Sequence, residues 1–290
     1  MTALLSVAAV LPGSSQNQNH AARVAPADQP PVPASEQLVL PSPSAPPVLS
    51  EQPDQGKPLL LSRAEVVNAF GCRTPTYWGL EAPGAMSRLS PGTPGIAVTV
   101  DFCGGANGSD FDRGLIGVLR ERRVPATLFL NSRWIAANPA TARELAADPL
   151  FELANHGTTH RPLSTTGRSA YGIPGTQGVG EVYDEVMGND STLTELTGTR
   201  PRFFRSGTAY FDDVAVQIVN ALQITPVAFS VNADGGATYP AATVAREAAK
   251  ARPGDIIICH GNHPRGGTAQ GMAQALDTLA ARGTPFLHLH

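Results

Sequence analysis

Ile96-Ala-Val-Thr-Val-Asp-Phe-Cys-Gly-Gly105 is the stretch from which the fold of this chain can be worked out. Its first half is rich in β-branched residues, which favour strands, and its second half is a glycine-rich loop. From here to the end of the chain, short apolar runs alternate with segments whose apolar residues recur at helical spacing. This alternation predicts a parallel sheet with helices packed against it.

The predicted elements follow one another as strand–helix units. The predicted strands cover residues 96–100, 126–130, 150–154, 202–204, 227–231, 255–259 and 285–289. The predicted helices cover residues 112–123, 134–147, 181–196, 213–222, 241–251 and 268–282. About seven such units in a chain of this length predict a distorted parallel (β/α) barrel, closed or nearly closed.

The N-terminal part has a different composition. Residues 1–57 are rich in proline, serine, glutamine and alanine, which predicts a disordered tail because such a segment buries too little apolar surface. Its apolar start resembles the end of a secretory signal, but no basic residue precedes Arg23. We expect export to the periplasm or outside the cell, with the cytoplasm as the alternative. Residues 58–94 are predicted to be a lead-in segment with a short helix over 59–69, and residues 95–290 a single catalytic domain.

The overall composition argues against two classes of protein. The 290 residues carry a formal net charge of −3 and no basic stripe, so nucleic acid is not an expected partner. No apolar run reaches the roughly 18 residues of a membrane-spanning helix. The sequence leaves the oligomeric state open.

Polar residues recur where the predicted strands end. In a parallel barrel those ends meet at one face, where active sites are built. Each of these residues alone could be explained as a helix cap or a surface charge. Because such a residue follows each of five predicted strands, together they predict an active site. The residues are Asp101, His156, Arg205, Asn232 with Asp234, and His260.

One of these strands leads into a pair of histidines. Leu153-Ala-Asn-His-Gly-Thr-Thr-His-Arg-Pro-Leu163 places His156 and His160 four residues apart, in a chain that has only seven histidines. Neutral imidazoles suit zinc and similar divalent ions. The segment therefore predicts a metal site, whereas the alternative is a surface loop with two unrelated histidines.

With these residues in view, the chain from residue 95 to residue 290 resembles the polysaccharide deacetylases of carbohydrate esterase family 4, which have a distorted (β/α) barrel. The histidine pair is similar to the family's His-(Ser/Thr)-x-x-His motif, with Gly157 at the second position. Arg205 follows Phe-Phe and His260 follows an apolar run, as in two further motifs. The remaining two motifs are altered: Asp101 is followed by Phe-Cys-Gly-Gly, similar to one branch of the family, and Asp234 is displaced by one position.

The resemblance implies a metal-dependent hydrolase that removes acetyl groups from N-acetylated (or O-acetylated) carbohydrate, breaking a non-peptide carbon–nitrogen bond. Alternatives are an amidase for a small non-carbohydrate amide and a catalytically inactive carbohydrate-binding protein. Amide hydrolysis needs a base, an acid for the leaving amine and a stabilised oxyanion. The implied roles are Asp101 as base, Arg205 as its partner, His260 as acid, Asp234 or Asn232 as the group that orients His260, and the backbone around Gly207 and Thr208 as oxyanion donors.

The sequence does not decide which residue is the third metal ligand. Phe102 stands where the family has a metal-binding Asp, and Asp101, Cys103 and His263 can replace it. Strand alternation turns Asp101 and Cys103 to one face and Phe102 to the other. We expect Asp101 to join the two histidines, so that Asp101→Asn weakens metal binding and Cys103→Ser spares it.

Three cysteines bear on the redox environment. In an exported protein, Cys72, Cys103 and Cys259 suggest one disulfide and one free thiol, and we expect Cys72 to pair with Cys103. In the cytoplasm all three would be thiols.

Overall fold

The protein's structure, a computed structural model, describes residues 60–290, so the predicted tail and signal lie outside the described residues. The described strands are β1 (Trp78–Gly79), β2 (Ile96–Phe102), β3 (Ala126–Leu130), β4 (Phe151–Asn155), β5 (Phe203–Phe204), β6 (Phe211–Asp212), β7 (Thr225–Pro226), β8 (Val231–Asn232), β9 (Ile256–His260) and β10 (Phe286–Leu287). The described helices are α1 (Arg63–Phe70), α2 (Arg113–Glu121), α3 (Ser132–Ala137), α4 (Pro139–Ala147), α5 (Val179–Thr197), α6 (Asp213–Ala221), α7 (Ala241–Ala248) and α8 (Thr268–Ala281).

A single parallel sheet forms the centre. Seven strands lie in the order β7-β5-β4-β3-β2-β9-β8, and β10 pairs with β2 outside that path. The edge strands β7 and β8 do not pair with each other, although only residues 227–230 connect them. A connection of that length spans less than about 18 Å even when extended, so the sheet has to curl until its edges lie close together. The predicted (β/α) barrel is confirmed, in the form of a curled sheet that stays open along one side.

Of the predicted strand over 227–231, only Val231 lies in a strand, because residues 227–230 cross from one edge of the sheet to the other. The backbone N–H of Val227 donates to Phe204, and that of Ala228 donates to Met86. The Ala228 carbonyl accepts from the side chain of Arg205, 2.9 Å away. Residues 227–230 are therefore hydrogen-bonded to neighbouring segments without belonging to a strand, and the two-residue strands β7 and β8 flank them.

The predicted helix over 134–147 is divided into α3 and α4. Pro139 occupies the first turn of α4, where its missing N–H does no harm. The residue before a proline is forced away from helical geometry, and Asn138 has φ −130° and ψ 50°. The break therefore follows from Pro139, which the helical spacing alone did not reveal.

The central strand β2 shows how the sheet delivers side chains to two different places. All seven of its residues are buried. Ile96, Val98 and Val100 pack in the core that also holds the apolar faces of α2 and α8. Ala97 packs in a separate cluster with residues of β3 to β5, inside the curl of the sheet. By strand alternation Asp101 shares the inner face with Ala97.

The segment before the sheet is packed against it. A reciprocal capping box between Ser62 and Glu65 starts α1, close to the helix predicted over 59–69. Phe70 at the end of α1 is buried in a cluster with residues of α5 and α6. Met86 pairs with Val227, so this segment also contacts the crossing chain. Within residues 60–290, no helix is both long and apolar enough to cross a membrane.

Candidate active site

A cavity of about 670 Å³ opens where the parallel strands end. The positional rule from the sequence brings the expected residues together here, since side chains from β2, the β4 loop and β9 share the cavity wall. Among the residues that line it are Asp101, Cys103, His160, His260, Asn262 and His263.

Behind the cavity wall lies a fully buried ion pair. Arg205 directly follows β5 and has 0% exposure. Its Nη1 donates to Asp101 Oδ1 at 2.7 Å and to Thr99 Oγ1 at 2.9 Å. The guanidinium also lies over the ring of Phe129, 4.2 Å from its centroid. Because a buried charge is tolerated only when it is paired and hydrogen-bonded, Asp101 and Arg205 depend on each other, and Arg205 holds the Asp101 side chain in one orientation.

His156 is oriented by the backbone. Its Nδ1 donates to the carbonyl of Arg205 at 3.0 Å, so Nε2 carries the free lone pair. Nε2 lies 3.6 Å from Asp101 Oδ2 and 3.8 Å from Cys103 Sγ. Burial lowers the pKa of His156, which keeps the imidazole neutral at physiological pH.

His160 completes a group of three metal-binding side chains. Its ring stands edge-on to that of His156, with 4.9 Å between centroids. Its buried Nε2 has no hydrogen-bond partner among residues 60–290. Burial, and then the repulsion that would arise if both rings were protonated, lower the pKa of His160 well below its ordinary value. One ligand atom each from Cys103, His156 and His160 lies within 4.8 Å of the others.

This donor set fits a divalent metal. Two neutral imidazoles and a cysteine are ligands that zinc accepts, and a buried, unpartnered Nε2 is costly unless something binds it. Burial raises the pKa of the Cys103 thiol well above its ordinary value, so the metal-free side chain is protonated. A bound cation would displace that proton.

The structure groups Cys103, rather than Asp101, with the two histidines. One oxygen of Asp101 is occupied by Arg205, and the other lies near His156 alone. Strand β2 extends to Phe102, so the alternation continues and turns Cys103 towards the cavity. His263 lines the cavity but does not belong to the group.

The expected disulfide does not form. Cys72, Cys103 and Cys259 are all free in the structure. Cys72 is exposed just after α1, whereas Cys103 lies against His156. Cys259 is buried, and its Sγ contacts the carbonyl of Thr99 at 3.6 Å. The expectation of a pair between Cys72 and Cys103 was therefore wrong.

A pair formed by His260 and the carboxylate of Asp234 lies where β9 ends. His260 Nδ1 is 2.9 Å from Asp234 Oδ1, and the backbone N–H of His260 donates to Oδ2 at 2.8 Å. Thr268 donates to the same carboxylate at 3.0 Å. Burial, the largest single cause, lowers the pKa of His260, but the charge of Asp234, its hydrogen bond and the charge of Asp101 together outweigh burial, so the net pKa is raised. The pKa of Asp234 is lowered, because its contacts with His260 outweigh the effect of burial.

Asn232 has another function in the structure. Its side-chain oxygen accepts the backbone N–H of Gly235 at 2.9 Å and so closes the turn after β8. Of the two residues expected to orient His260, only Asp234 does so.

The expected oxyanion donors differ in availability. The N–H of Gly207 already donates to the carbonyl of Arg161 at 3.2 Å. A Cβ at this position would lie 2.3 Å from the backbone carbon of His160, so only glycine permits this approach. Thr208 also lines the cavity and is the remaining candidate of the two.

Helix α5 holds the histidine loop through Glu185. This buried carboxylate accepts the backbone N–H of Thr159 at 3.0 Å and that of Arg161 at 3.2 Å. It also accepts the hydroxyl of Thr159 at 2.6 Å. Gly157 has φ +79°, and a Cβ there would lie 2.4 Å from Glu185 Oε1. The glycine that replaces Ser or Thr in the histidine motif is therefore required by Glu185.

Buried asparagines support the same loop. Asn131 donates to the carbonyls of His156 and Gly157 at 2.9 and 2.7 Å. The N–H of Gly157 donates to Asn155, whose oxygen also accepts from Asn189 at 2.9 Å. Sequence analysis missed Asn131, although it directly follows β3 and thus carries the same positional signal as the predicted site residues. It missed Glu185 because nothing in a helix interior marks such a contact.

Comparison with known sequences points to one family. The family model for polysaccharide deacetylase matches residues 89–227. A chitooligosaccharide deacetylase of Sinorhizobium fredii is 31% identical over 207 residues, which cover 69% of this chain and 89% of that protein.

Solved structures share the fold at low identity. A family 4 carbohydrate esterase of Bacillus subtilis superposes with a TM-score of 0.55 at 21% identity, covering 71% of this chain and 82% of that one. A pseudoenzyme of family CE4 from Bacillus anthracis gives a TM-score of 0.57 at 21% identity, covering 71% of this chain and 67% of that one. Because the fold occurs in a pseudoenzyme, activity has to be argued from the side chains.

Proposed function

Because the chain belongs to the polysaccharide deacetylase family, we propose that it is a hydrolase that removes acetyl groups from N-acetylated carbohydrate with the help of a divalent metal ion. The 31% identical relative is a chitooligosaccharide deacetylase, which supports an acetylated glycan as substrate. The observation that carries the proposal is that one cavity brings together a base, an acid and a metal-binding group. Those side chains are Asp101 with Arg205, His260 with Asp234, and the group of Cys103, His156 and His160.

Cys103, His156 and His160 would hold the ion, for which zinc fits the donor set. A divalent ion there supplies a Lewis acid that polarises the acetyl carbonyl and makes water a stronger nucleophile. The two neutral imidazoles support this assignment, since protonated ones could not bind a cation.

Asp101 accepts the proton of the attacking water. Its Oδ2 is the oxygen that Arg205 leaves free, because Arg205 binds Oδ1. The ion pair with Arg205 fixes the position of the carboxylate, and a general base has to lie within reach of the proton that it accepts.

His260 donates the proton that the leaving nitrogen needs. Its Nδ1 is held by Asp234, so Nε2 is the nitrogen left to donate. The raised pKa of His260 keeps the imidazolium populated near neutral pH. As the carbon–nitrogen bond breaks, the hydroxyl of water goes to the acetyl carbon and the proton of His260 goes to the nitrogen. The products are a free amine and acetic acid, which releases its proton to solvent as acetate, and solvent then carries the proton of Asp101 back to His260.

An inactive carbohydrate-binding protein is the second candidate, because a pseudoenzyme shares this fold and two motifs are altered. A binding protein has no use for the buried carboxylate that raises the pKa of His260. The intact His260–Asp234 pair therefore favours the enzyme.

Metal titration tests the proposal. Protein stripped with a chelator should release no acetate from the tetramer of β-linked N-acetylglucosamine, and the rate should rise with added zinc up to one ion per chain. The His160→Ala variant, folded by circular dichroism, should neither bind zinc nor release acetate. Full activity in the stripped protein, or equal zinc content in wild type and variant, would contradict metal dependence.

A further inference from the structure

The rim of the active-site cavity carries exposed aromatic side chains. Tyr171 is 73% exposed and Tyr239 is 36% exposed, and both line the cavity. In residues 60–290, Val67 is the only other large apolar side chain with comparable exposure. Exposed apolar side chains concentrated beside a cavity mark a binding surface.

Tyr171 has a backbone conformation that is unfavourable for a tyrosine. Ala170 and Ile173 exchange backbone hydrogen bonds of 3.1 and 2.9 Å around a two-residue turn. Tyr171 has φ +52° and Gly172 has φ +75°, which is the pattern of a type I′ turn. Such turns prefer Asn or Asp before Gly, and a bulky residue with positive φ is an outlier. Strain of this kind persists where function requires the side chain.

The ring is also held in place. It stands edge-on to Tyr210, with centroids 5.4 Å apart and planes at 89°. Tyr210 packs in turn on Trp78, with centroids 5.6 Å apart. The guanidinium of Arg168 lies over Trp78 at 5.4 Å. Tyr171 is thus fixed by a row of aromatic rings although most of its surface faces solvent.

We propose that Tyr171 is a sugar-binding platform that contacts the pyranose unit next to the one that loses its acetyl group. The proposal rests on the proposed function and makes an oligosaccharide, rather than a single sugar, the preferred substrate. An aromatic ring offers an apolar body for the C–H face of a pyranose, and the tyrosine hydroxyl offers a polar tip. Holding the ring before binding reduces the entropy lost when the sugar arrives. Ile173, across the turn, adds apolar surface to the same wall.

The test exploits the opposite effects that Tyr171→Asn should have on stability and on binding. Asparagine suits this turn position, so the melting temperature should rise. The KM for the β-linked N-acetylglucosamine tetramer should increase roughly 3- to 10-fold, the effect of one lost aromatic contact. The rate on N-acetylglucosamine itself should not change. The control Tyr171→Phe keeps the ring and loses only the hydroxyl, so its tetramer KM should rise less than that of Tyr171→Asn.

An unchanged tetramer KM in Tyr171→Asn would overturn the platform, and so would an equal loss on the single sugar. Calorimetry with the fully deacetylated tetramer separates this proposal from the proposed function. Suppose that wild type releases no acetate but binds that tetramer more tightly than Tyr171→Asn does. This result would support the sugar-binding platform and contradict the proposed deacetylase activity. If wild type and Tyr171→Asn bind it equally, or neither binds it, the platform is overturned.

Discussion

Phe102 explains why the proposed metal-binding group of this chain differs from the pattern of its family. Its side chain is fully buried and lies against Trp134, with 4.6 Å between ring centroids. A carboxylate at that position would point into the apolar core. Strand alternation leaves Asp101 and Cys103 as the residues of this motif that face the cavity. That much could be predicted from the sequence, whereas the choice between Asp101 and Cys103 depends on their distances to two histidines in the loop after β4.

Cobalt substitution distinguishes the two candidates at the level of the metal. We now predict that Cys103→Ser lowers metal affinity by more than the about 10- to 100-fold that loss of an outer partner costs. Asp101→Asn should keep the metal and lose most of the rate. The thiolate-to-cobalt charge-transfer band should appear in wild type and in Asp101→Asn and be absent from Cys103→Ser. If the charge-transfer band persisted in Cys103→Ser, Cys103 would not be the metal ligand and Asp101 would be the remaining candidate.

The pH dependence of the rate reports on the His260–Asp234 pair. Burial lowers the pKa of His260, but the charge and hydrogen bond of Asp234, together with the charge of Asp101, raise the net pKa. An acid works only while protonated, so kcat should fall as pH rises through this pKa. In Asp234→Asn the charge is lost, so the pKa of His260 falls and the decline in kcat moves to lower pH. If both proteins show the decline at the same pH, another group donates the proton.

At the scale of elements, the loop from β4 is held by a neighbouring helix. The carboxylate of Glu185 on α5 binds two backbone N–H groups of this loop and occupies the space beside Gly157. Restoring the family's serine by Gly157→Ser should therefore destabilise the protein. A non-glycine residue at positive φ costs on the order of 1–3 kcal/mol, and the contact with Glu185 adds to it.

A double-mutant cycle separates these two contributions. Gly157→Ser should cost less free energy of unfolding in a Glu185→Ala background than in wild type, because the close contact is gone. Denaturant unfolding of the four proteins measures the difference. Equal costs in both backgrounds would show that Glu185 does not constrain residue 157.

Comparison of the predicted and observed helices and strands shows which sequence signals were sufficient to predict an element. The long helix α5 ends at Gly198 in the left-handed conformation, where the glycine was expected to stop it. The strands 126–130 and 96–100 were predicted closely, because they are continuous apolar runs between turn residues. The stretch 227–231 has the same composition, yet it crosses between the edges of the sheet. Whether such a stretch forms a strand or crosses between edges depends on how the whole sheet curls, so the local sequence pattern could not predict the crossing.

At the scale of the whole molecule, the order of the strands explains why the site is where it is. The curled parallel sheet brings the ends of β2, β4, β5 and β9 to one face. Of the residues that the strand-end rule selected, Asp101, Asn232 and His260 line the cavity, and the rule did not select other lining residues such as Asn262. The supporting contacts from Asn131 and Glu185 could not be ranked in that way, because they depend on packing between elements.

The described residues also bear on the minimal active unit. The sheet, its helices and the cavity all lie within residues 60–290. We predict that removing residues 1–57 leaves the melting temperature and the rate of acetate release unchanged. A drop of several degrees in the truncated protein would show that the N-terminal region packs on the domain.

The most direct test of the account is the identity of the products formed by the zinc-loaded protein from the tetramer of β-linked N-acetylglucosamine. Nuclear magnetic resonance should show acetate and a free amine appearing in equal amounts. In His260→Ala, with the same zinc content, kcat should fall on the order of 10²–10⁴-fold, the usual contribution of a general acid. A zinc-loaded wild type that binds the tetramer and releases no acetate would contradict the account and make the chain a carbohydrate-binding protein.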